Sequence, residues 1–208
     1  MELSMPYQTI NPTTNELVKT YPNHTDADIE AALSAAHRLY KSAWSKGPIK
    51  PRLQVLERLA DLIDARKEEL ARIATMEMGK LIGDARDEVW IIAEIARFYA
   101  RNAERFLAPV KIDSQLGDAW VEHHPIGVLL AVEPWNFPYY QLMRVFAPAI
   151  AAGNPVLAKH ASIVRTARAC SRPWSTKPAR RKAPGRTSSS PPARLPTSSR
   201  TIASRAPP

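Results

Sequence analysis

The sequence contains little cysteine and little glycine, and each shortage excludes a structural feature. Cys170 is the single cysteine among 208 residues, so no intramolecular disulfide can form. Only seven glycines are present, and neither GxGxxG nor GxxxxGK[ST] occurs, which excludes the common phosphate-cradling loops. The first residues, MELSMPYQTI, lack the basic and apolar regions of a signal peptide. We therefore expect a cytoplasmic protein.

Long apolar runs are also missing, and this absence argues against a membrane protein. The longest run, near Phe146 to Ala152, is far shorter than the roughly 20 residues that a membrane-spanning helix needs. A length of 208 residues is enough for one or two domains with a sizeable core.

Acidic residues are absent from residues 165–208, and this absence accounts for the net charge of +9. Residues 1–164 contain 18 Lys and Arg against 20 Asp and Glu, whereas residues 165–208 contain 11 Lys and Arg. The pattern divides the chain into a near-neutral globular domain, residues 1–164, and a basic tail, residues 165–208. The basicity of the whole chain therefore says nothing about the partners of the globular domain.

The tail has a composition that cannot bury a core. It contains 9 Arg, 8 Pro and 8 Ser and shows no apolar periodicity, which predicts disorder. It is either the product of a frameshift in a GC-rich gene or a genuine basic segment that binds nucleic acid or acidic partners. Trp174 is its single aromatic residue and no nucleic-acid-binding motif is present, so we favour the frameshift and expect no nucleic-acid partner.

Helical and strand periodicities predict the order of elements up to residue 124. Two short strands are expected within residues 7–21, and a helix from the capping sequence at Thr25 to about Trp44. Further helices are expected over residues 52–78 and 84–106, and an exposed hairpin over residues 110–124. The first helix has a stripe of Ile29, Leu33, Ala36 and Tyr40, and the second has one of Leu53, Leu56, Leu59, Leu62 and Ile63.

A strand–helix–strand unit follows. Ile126 to Val132 is continuously apolar, which predicts a strand buried on both faces. Tyr139 to Ala152 predicts a helix that Gly153 ends, and the second strand is PVLAK. Such a unit makes the strands parallel and places ligands at their carboxyl ends. Asn136 and Lys159 follow the two strands and should therefore project into one crevice.

Each polar residue at this edge has two readings. Asn136 is either a donor to a developing oxyanion or a turn and cap residue. Lys159 either binds ribose hydroxyls or a phosphate, or is a solvated lysine. Glu133 is either a ligand or a loop charge, and we favour the loop charge. Arg144, on the otherwise apolar crossover helix, needs an anion partner or a route to water.

No metal is expected. His123 and His124 lie side by side before Pro125, but no cluster of cysteine and histidine supplies further ligands. We interpret both histidines as residues at the end of a strand.

Four stretches together resemble the NAD(P)-dependent aldehyde dehydrogenase superfamily. They are PWNFP after an apolar strand, AAGNPVLAKHAS, INPTTNELV and MEMGKLIGDARDEV. The resemblance covers about residues 6–164, roughly the first third of a full-length member. The stretches HHPIGVLLAVEPWNFP and KHAS are most similar to the bacterial succinate-semialdehyde dehydrogenase branch.

The resemblance implies a fold, a cofactor and roles for particular residues. The fold would be α/β, with an incomplete Rossmann-like parallel sheet, N-terminal helices and an extended hairpin for homo-oligomerisation. The cofactor would be NAD or NADP, and Ser162, where many NAD-preferring members have Glu, would not repel a 2′-phosphate. Asn136 would be the oxyanion donor, and Arg144 would bind the distal carboxylate of a small aldehyde substrate. The cofactor cleft would be lined by Val132, Glu133, Pro134, Trp135 and Asn136, and the adenosine ribose held by Lys159, His160, Ala161 and Ser162.

The sequence also departs from the family. Members use a nucleophilic cysteine and a general-base glutamate far downstream of PWNFP. Cys170 lies 34 residues after Asn136 and matches no nucleophile motif. We therefore expect this chain to be inactive alone, and the alternative is a non-catalytic fragment that binds nucleotides or oligomerises.

Overall fold

Helices and small sheets alternate along the chain in a computed structural model that describes residues 7–164. The predictions for residues 165–208 lie outside this range. None of the described helices is long and apolar enough to cross a membrane. The strands are β1 (Tyr7–Ile10), β2 (Leu17–Tyr21), β3 (Val110–Ile112), β4 (Ala119–Val121), β5 (Leu129–Val132) and β6 (Val156–Lys159). The helices are α1 (Asp26–Lys41), α2 (Ala43–Lys46), α3 (Lys50–Ala65), α4 (Lys67–Met78), α5 (Ile82–Leu107) and α6 (Tyr140–Ala152).

The first hairpin is confirmed and is attached to the helices through a buried hydrogen bond. Strands β1 and β2 pair antiparallel, with Tyr7 opposite Tyr21. The hydroxyl of Thr9, a fully buried residue, donates to Oε1 of Glu77 at 2.8 Å. Both groups are buried polar groups, and their hydrogen bond removes the cost of leaving them unpaired.

The first helix begins as predicted and ends earlier. The Thr25 hydroxyl accepts from the Asp28 backbone N–H while the Asp28 carboxylate accepts from the Thr25 N–H, which completes the capping box. Ser42 then ends α1 and caps α2. The apolar stripe of α1 is not buried, since Ile29 is 56% exposed and no residue of α1 is fully buried.

The predicted single helix over residues 52–78 is wrong. Arg66, with φ −115° and ψ 16°, leaves helical geometry and separates α3 from α4. No proline or glycine marks the break, so apolar spacing alone could not reveal it. The third predicted helix is confirmed and extends over α5.

The hydrophobic core lies between α3, α4, α5 and α6. The stripe of α3 is buried except at Leu62, which is 49% exposed. Helix α5 contributes mainly small side chains, which allow close helix packing. The fully buried large side chains of this core include Leu56, Ile63, Leu70, Val89, Ile92, Tyr139, Met143 and Ile150.

Arg52 is a buried cation whose hydrogen-bond partners among residues 7–164 are backbone carbonyls. Its Nε donates to the Ala151 carbonyl at 3.0 Å, and its Nη1 donates to the carbonyls of Trp44 at 2.5 Å and Gly47 at 3.3 Å. These carbonyls lie at the ends of α6 and α2, where helices present unpaired acceptors. Burial lowers the pKa of the Arg52 guanidinium. The side chain therefore joins α3 to the ends of two other helices.

The strand–helix–strand unit is confirmed in type and order. Strands β5 and β6 pair parallel, with Leu129 opposite Val156 and Val132 opposite Lys159. Gly153 ends α6 at φ +96°, a left-handed conformation that favours glycine. An added Cβ there would lie 3.2 Å from Ser45 Cα, so the residue also permits close backbone packing.

The prediction of a strand buried on both faces is wrong. The strand includes Leu129–Val132 only, and its side chains alternate between a covered and an uncovered side. Ala131 is 6% exposed, whereas Leu130 is 71% exposed and Val132 is 62% exposed. Helix α6 contacts both strands and α1 contacts β6, yet the side chains of Leu130 and Val132 stay exposed.

The second hairpin has the predicted extended and exposed character. Strands β3 and β4 pair antiparallel, and all of their residues are exposed or half-buried. Lys111 and Asp118 form an ion pair across it at 2.8 Å. No structural observation tests its predicted role in oligomerisation.

Candidate functional site at the carboxyl edge of the parallel strands

The two parallel strands end at the same edge, and the segments that follow them are hydrogen-bonded together. Val132 and Lys159 are opposite each other in the register. The Glu133 backbone N–H donates to the Lys159 carbonyl at 2.9 Å, so the pairing continues one residue beyond β5. The segments that follow the two strands therefore meet at one edge of the sheet, where topology predicts a ligand crevice.

The segment from Pro134 to Phe137 lies on the surface between β5 and α6. Trp135 is 51% exposed, and Asn136 is exposed as well. Asn136 is not the N-cap of α6, because Tyr139 occupies that position and makes no side-chain cap, and the alternative of a turn residue stays open. Among the described residues, no group hydrogen-bonds to the Asn136 side chain. Its amide is thus available to a ligand.

A buried carboxylate from α5 replaces the missing cap. Oε1 of Glu88 accepts from the backbone N–H groups of Tyr139 at 2.8 Å and Tyr140 at 3.0 Å. Its Oε2 accepts from Lys80 Nζ at 2.5 Å. The positive end of the α6 dipole and the lysine together compensate the buried negative charge.

The same lysine contacts the PWNFP segment. Lys80 Nζ lies 3.6 Å from the centroid of the Phe137 ring, and the lysine side chain is only 8% exposed. Sequence reasoning did not single out Lys80 or Glu88, although both lie in the quoted stretch MEMGKLIGDARDEV. The sequence indicates this contact only in part. It shows that the start of α6 has no local capping residue, so the first backbone N–H groups need a partner from elsewhere in the fold.

Glu133 lies in the loop after β5, as the favoured interpretation of a loop charge requires, but its side chain is buried. The residue is 8% exposed, and within residues 7–164 no group hydrogen-bonds to its carboxylate. Burial raises the pKa of Glu133, and the positive charge of Arg144 partly opposes that rise. Arg144 itself is exposed on α6, so it has the route to water that sequence analysis required.

Glu133→Gln should make the protein more stable at neutral pH and flatten its stability profile. Burial holds the folded-state pKa of Glu133 above the ordinary value of a glutamate, which the unfolded chain has. Between that value and the raised one, the folded protein binds more protons than the unfolded chain, so stability falls as pH rises. Urea unfolding at several values from pH 4 to 8 measures this slope. Glu57→Gln, on the exposed side of α3, is the control, and equal slopes for all three proteins would contradict the prediction.

The segment after β6 combines exposed and buried side chains. Lys159 and Ser162 are exposed, and Ala161 is half-buried. His160 is only 4% exposed, so its imidazole faces the protein interior. The predicted ribose-binding residues are thus adjacent in a turn, but only Lys159 and Ser162 present polar side chains to solvent.

No metal centre is present among the described residues, since no group of three His, Cys, Asp or Glu side chains is arranged to hold an ion. His124 instead contacts Glu122 at 3.2 Å on the surface. We interpreted the two histidines as residues at the end of a strand, but β4 ends at Val121 and both lie in the segment that follows it.

Comparison with known proteins identifies the class. The aldehyde dehydrogenase family model matches residues 2–172. The chain belongs to the aldehyde dehydrogenase family, which confirms the resemblance drawn from the sequence.

Two succinate-semialdehyde dehydrogenases are similar to the chain in sequence or in structure. Succinate-semialdehyde dehydrogenase [NADP(+)] of Deinococcus radiodurans is 42% identical over 158 residues, which are 76% of this chain and 33% of that protein. The crystal structure of succinic semialdehyde dehydrogenase from Streptococcus pyogenes in complex with NADP+ superposes with a TM-score of 0.78 at 42% identity. That match covers 81% of this chain and 37% of the other. The chain therefore spans about a third of the length of the relatives it matches.

Proposed function

We propose that this chain supplies the oxyanion donor and part of the cofactor cleft of a succinate-semialdehyde dehydrogenase. The observation that carries the proposal is the Asn136 amide, exposed beside the carboxyl edge of parallel strands and without a hydrogen-bonding partner among the described residues. The sequence similarity to the succinate-semialdehyde dehydrogenases supports the substrate class.

The exposed residues of the edge fit a nicotinamide dinucleotide. Lys159 offers an ammonium donor, and Ser162 offers a hydroxyl beside it; both are exposed. The exposed surface of Val132, Pro134 and Trp135 would line the cleft, with the backbone of Glu133 between them. His160 and Ala161 would contribute through the backbone, since the His160 ring is buried.

The Asn136 amide has a defined part in oxidising an aldehyde to an acid. Attack on the aldehyde carbon places negative charge on the carbonyl oxygen, and a held N–H donor stabilises that charge. When bound, NAD(P)+ accepts the hydride that the aldehyde carbon loses. The single cysteine of the chain, Cys170, matches no nucleophile motif, so we infer that this chain does not turn over substrate alone.

Arg144 is the proposed partner of the substrate carboxylate. It is an exposed guanidinium on α6, one helical turn beyond Tyr140. An arginine binds a carboxylate in a bidentate manner and so distinguishes a semialdehyde from an uncharged aldehyde. The positive charge of Arg144 already interacts with Glu133. The Glu133 carboxylate would therefore compete with the substrate carboxylate for Arg144.

A second candidate is a non-catalytic fragment that binds nucleotides or forms homo-oligomers. The exposed apolar residues of the β3–β4 hairpin favour oligomerisation, since Val110 and Trp120 are each 56% exposed. Sedimentation of the full chain tests this candidate, and the formation of oligomers would favour it.

Titration calorimetry of the full chain with NADP+ and NAD+ tests the proposed cofactor cleft. Saturable binding at one site per chain, weakened by Lys159→Ala, is the expected result. Absence of saturable binding by either dinucleotide would remove the proposed cleft from this chain.

Ser162→Glu should weaken NADP+ binding about tenfold and change NAD+ binding little, because the new carboxylate repels a 2′-phosphate that only NADP+ has. The comparison of the two dissociation constants by calorimetry measures the effect. Ser114→Glu adds the same charge on the exposed β3–β4 connection and should weaken neither. Equal weakening of both dinucleotides by Ser162→Glu would place the 2′ position elsewhere.

A further inference from the structure

Helix α6 depends on another helix for its first turn. The segment before it, Phe137 and Pro138, offers no serine, threonine or aspartate to accept from the first backbone N–H groups. Glu88 Oε1 fulfils that role from α5, at 2.8 Å from the Tyr139 nitrogen and 3.0 Å from the Tyr140 nitrogen. The start of α6 is therefore fixed by a tertiary contact.

Phe137, which lies before the first turn of α6, is held in place through its aromatic ring. Lys80 lies between the Glu88 carboxylate at 2.5 Å and the Phe137 ring at 3.6 Å. A cation placed over an aromatic face and shielded from water is attracted more strongly than one in solvent. Lys80 thus joins the carboxylate that caps α6 to the ring immediately before it.

These two contacts lie on the carboxyl side of Asn136, and β5 holds its other side. Asn136 precedes Phe137 directly, and Pro134 and Pro138 restrict the backbone on both sides of the pair. The Asn136 side chain has no hydrogen bond of its own to a described residue. Its placement therefore depends on its neighbours in the chain.

We propose that Lys80 and Glu88 are positioning residues for Asn136, acting through the Phe137 ring and the first turn of α6. This inference rests on the proposed role of Asn136 as the oxyanion donor for its importance to function. The positioning itself depends only on the contacts above. An ordered donor costs no reorganisation when charge develops on the substrate oxygen, which is the condition for effective stabilisation.

Nuclear magnetic resonance of the full chain tests the proposal without a substrate. The side-chain amide signal of Asn136 is assigned by its loss in Asn136→Asp. In Lys80→Met that signal should shift and broaden, and the Tyr139 and Tyr140 amides should exchange with solvent about tenfold faster or more. Lys80→Arg retains the cation and should restore both properties in large part.

Two controls separate positioning from general stability. Leu59→Ala lowers core stability without touching the pair, and should leave the Asn136 signal unchanged. Arg86→Met breaks the exposed Arg86–Glu68 pair and should also leave it unchanged. An unaltered Asn136 signal and unaltered Tyr139 exchange in Lys80→Met would overturn the proposal.

A second variant, in which the new side chain has nearly the same shape as the original, keeps the proposal testable. If Lys80→Met does not fold, Glu88→Gln applies, because it retains an acceptor for α6 but loses the charge that holds Lys80. It should move the Asn136 signal while preserving most of the Tyr139 protection, and an unmoved signal would contradict the proposal. Dinucleotide binding is measured separately, so failure of the proposed cofactor cleft leaves this result interpretable.

Discussion

Arg52→Met should lower the free energy of unfolding by about 3 kcal/mol, because three carbonyls lose a buried donor and each unpaired acceptor costs about 1–3 kcal/mol before water recovers part of it. The carbonyls belong to Ala151, Trp44 and Gly47, so the ends of two helices lose their contact with α3. The variant also removes a positive charge that is costly to bury, as the lowered pKa of Arg52 shows, and this offsets part of the loss. Urea unfolding followed by circular dichroism measures the change.

Arg58→Met is the matched control for this substitution. Arg58 lies on the same helix, is exposed and has no ion pair or side-chain hydrogen bond with a described residue. It should leave the unfolding midpoint within error of the wild type. Equal midpoints for Arg52→Met and the wild type would show that water replaces the guanidinium at little cost.

Lys80→Met should be the most damaging single substitution, with a loss of about 3–5 kcal/mol. It leaves the Glu88 carboxylate buried without its cation, and breaking a buried pair from one side typically costs this much. The side chain of Glu88 is fully buried, so water cannot reach it to compensate. The α6 dipole retains part of the compensation through Tyr139 and Tyr140.

The double variant Lys80→Met with Glu88→Gln should be more stable than Lys80→Met alone. Glutamine presents a neutral oxygen to the two backbone donors and carries no charge that needs a partner. A double-mutant cycle in urea measures this coupling. Simple additivity of the two single losses would mean that the buried charge is not what Lys80 compensates.

Topology was the part of the site that the sequence predicted well. A continuous apolar stretch, a helix ended by Gly153 and a second apolar stretch sufficed to predict parallel strands, and the pairing of Val132 with Lys159 confirms them. The same stretch misled on burial, since Leu130 is 71% exposed. An apolar run reports which residues can be buried, and the number of covered sides depends on what else packs there.

Tertiary contacts of polar residues were not predictable by the same means. Glu88 lies within a helical pattern and has no local feature that distinguishes it from a solvated glutamate. Its role became visible only when α6 was found next to it with an uncapped first turn. The burial of Glu133 was not predictable for the same reason, because only the packing around the loop shows it.

The attachment of α6 to the helical core also has a thermodynamic consequence. Besides the cap from Glu88, the Tyr139 hydroxyl donates to the Leu70 carbonyl of α4 at 3.0 Å, so the first turn of α6 is fastened to two helices at once. Order at the exposed edge and order in the core are therefore linked equilibria. A ligand that binds only the ordered PWNFP segment therefore stabilises the attachment of α6 to α4 and α5 by mass action, and a substitution that breaks this attachment weakens binding of the ligand.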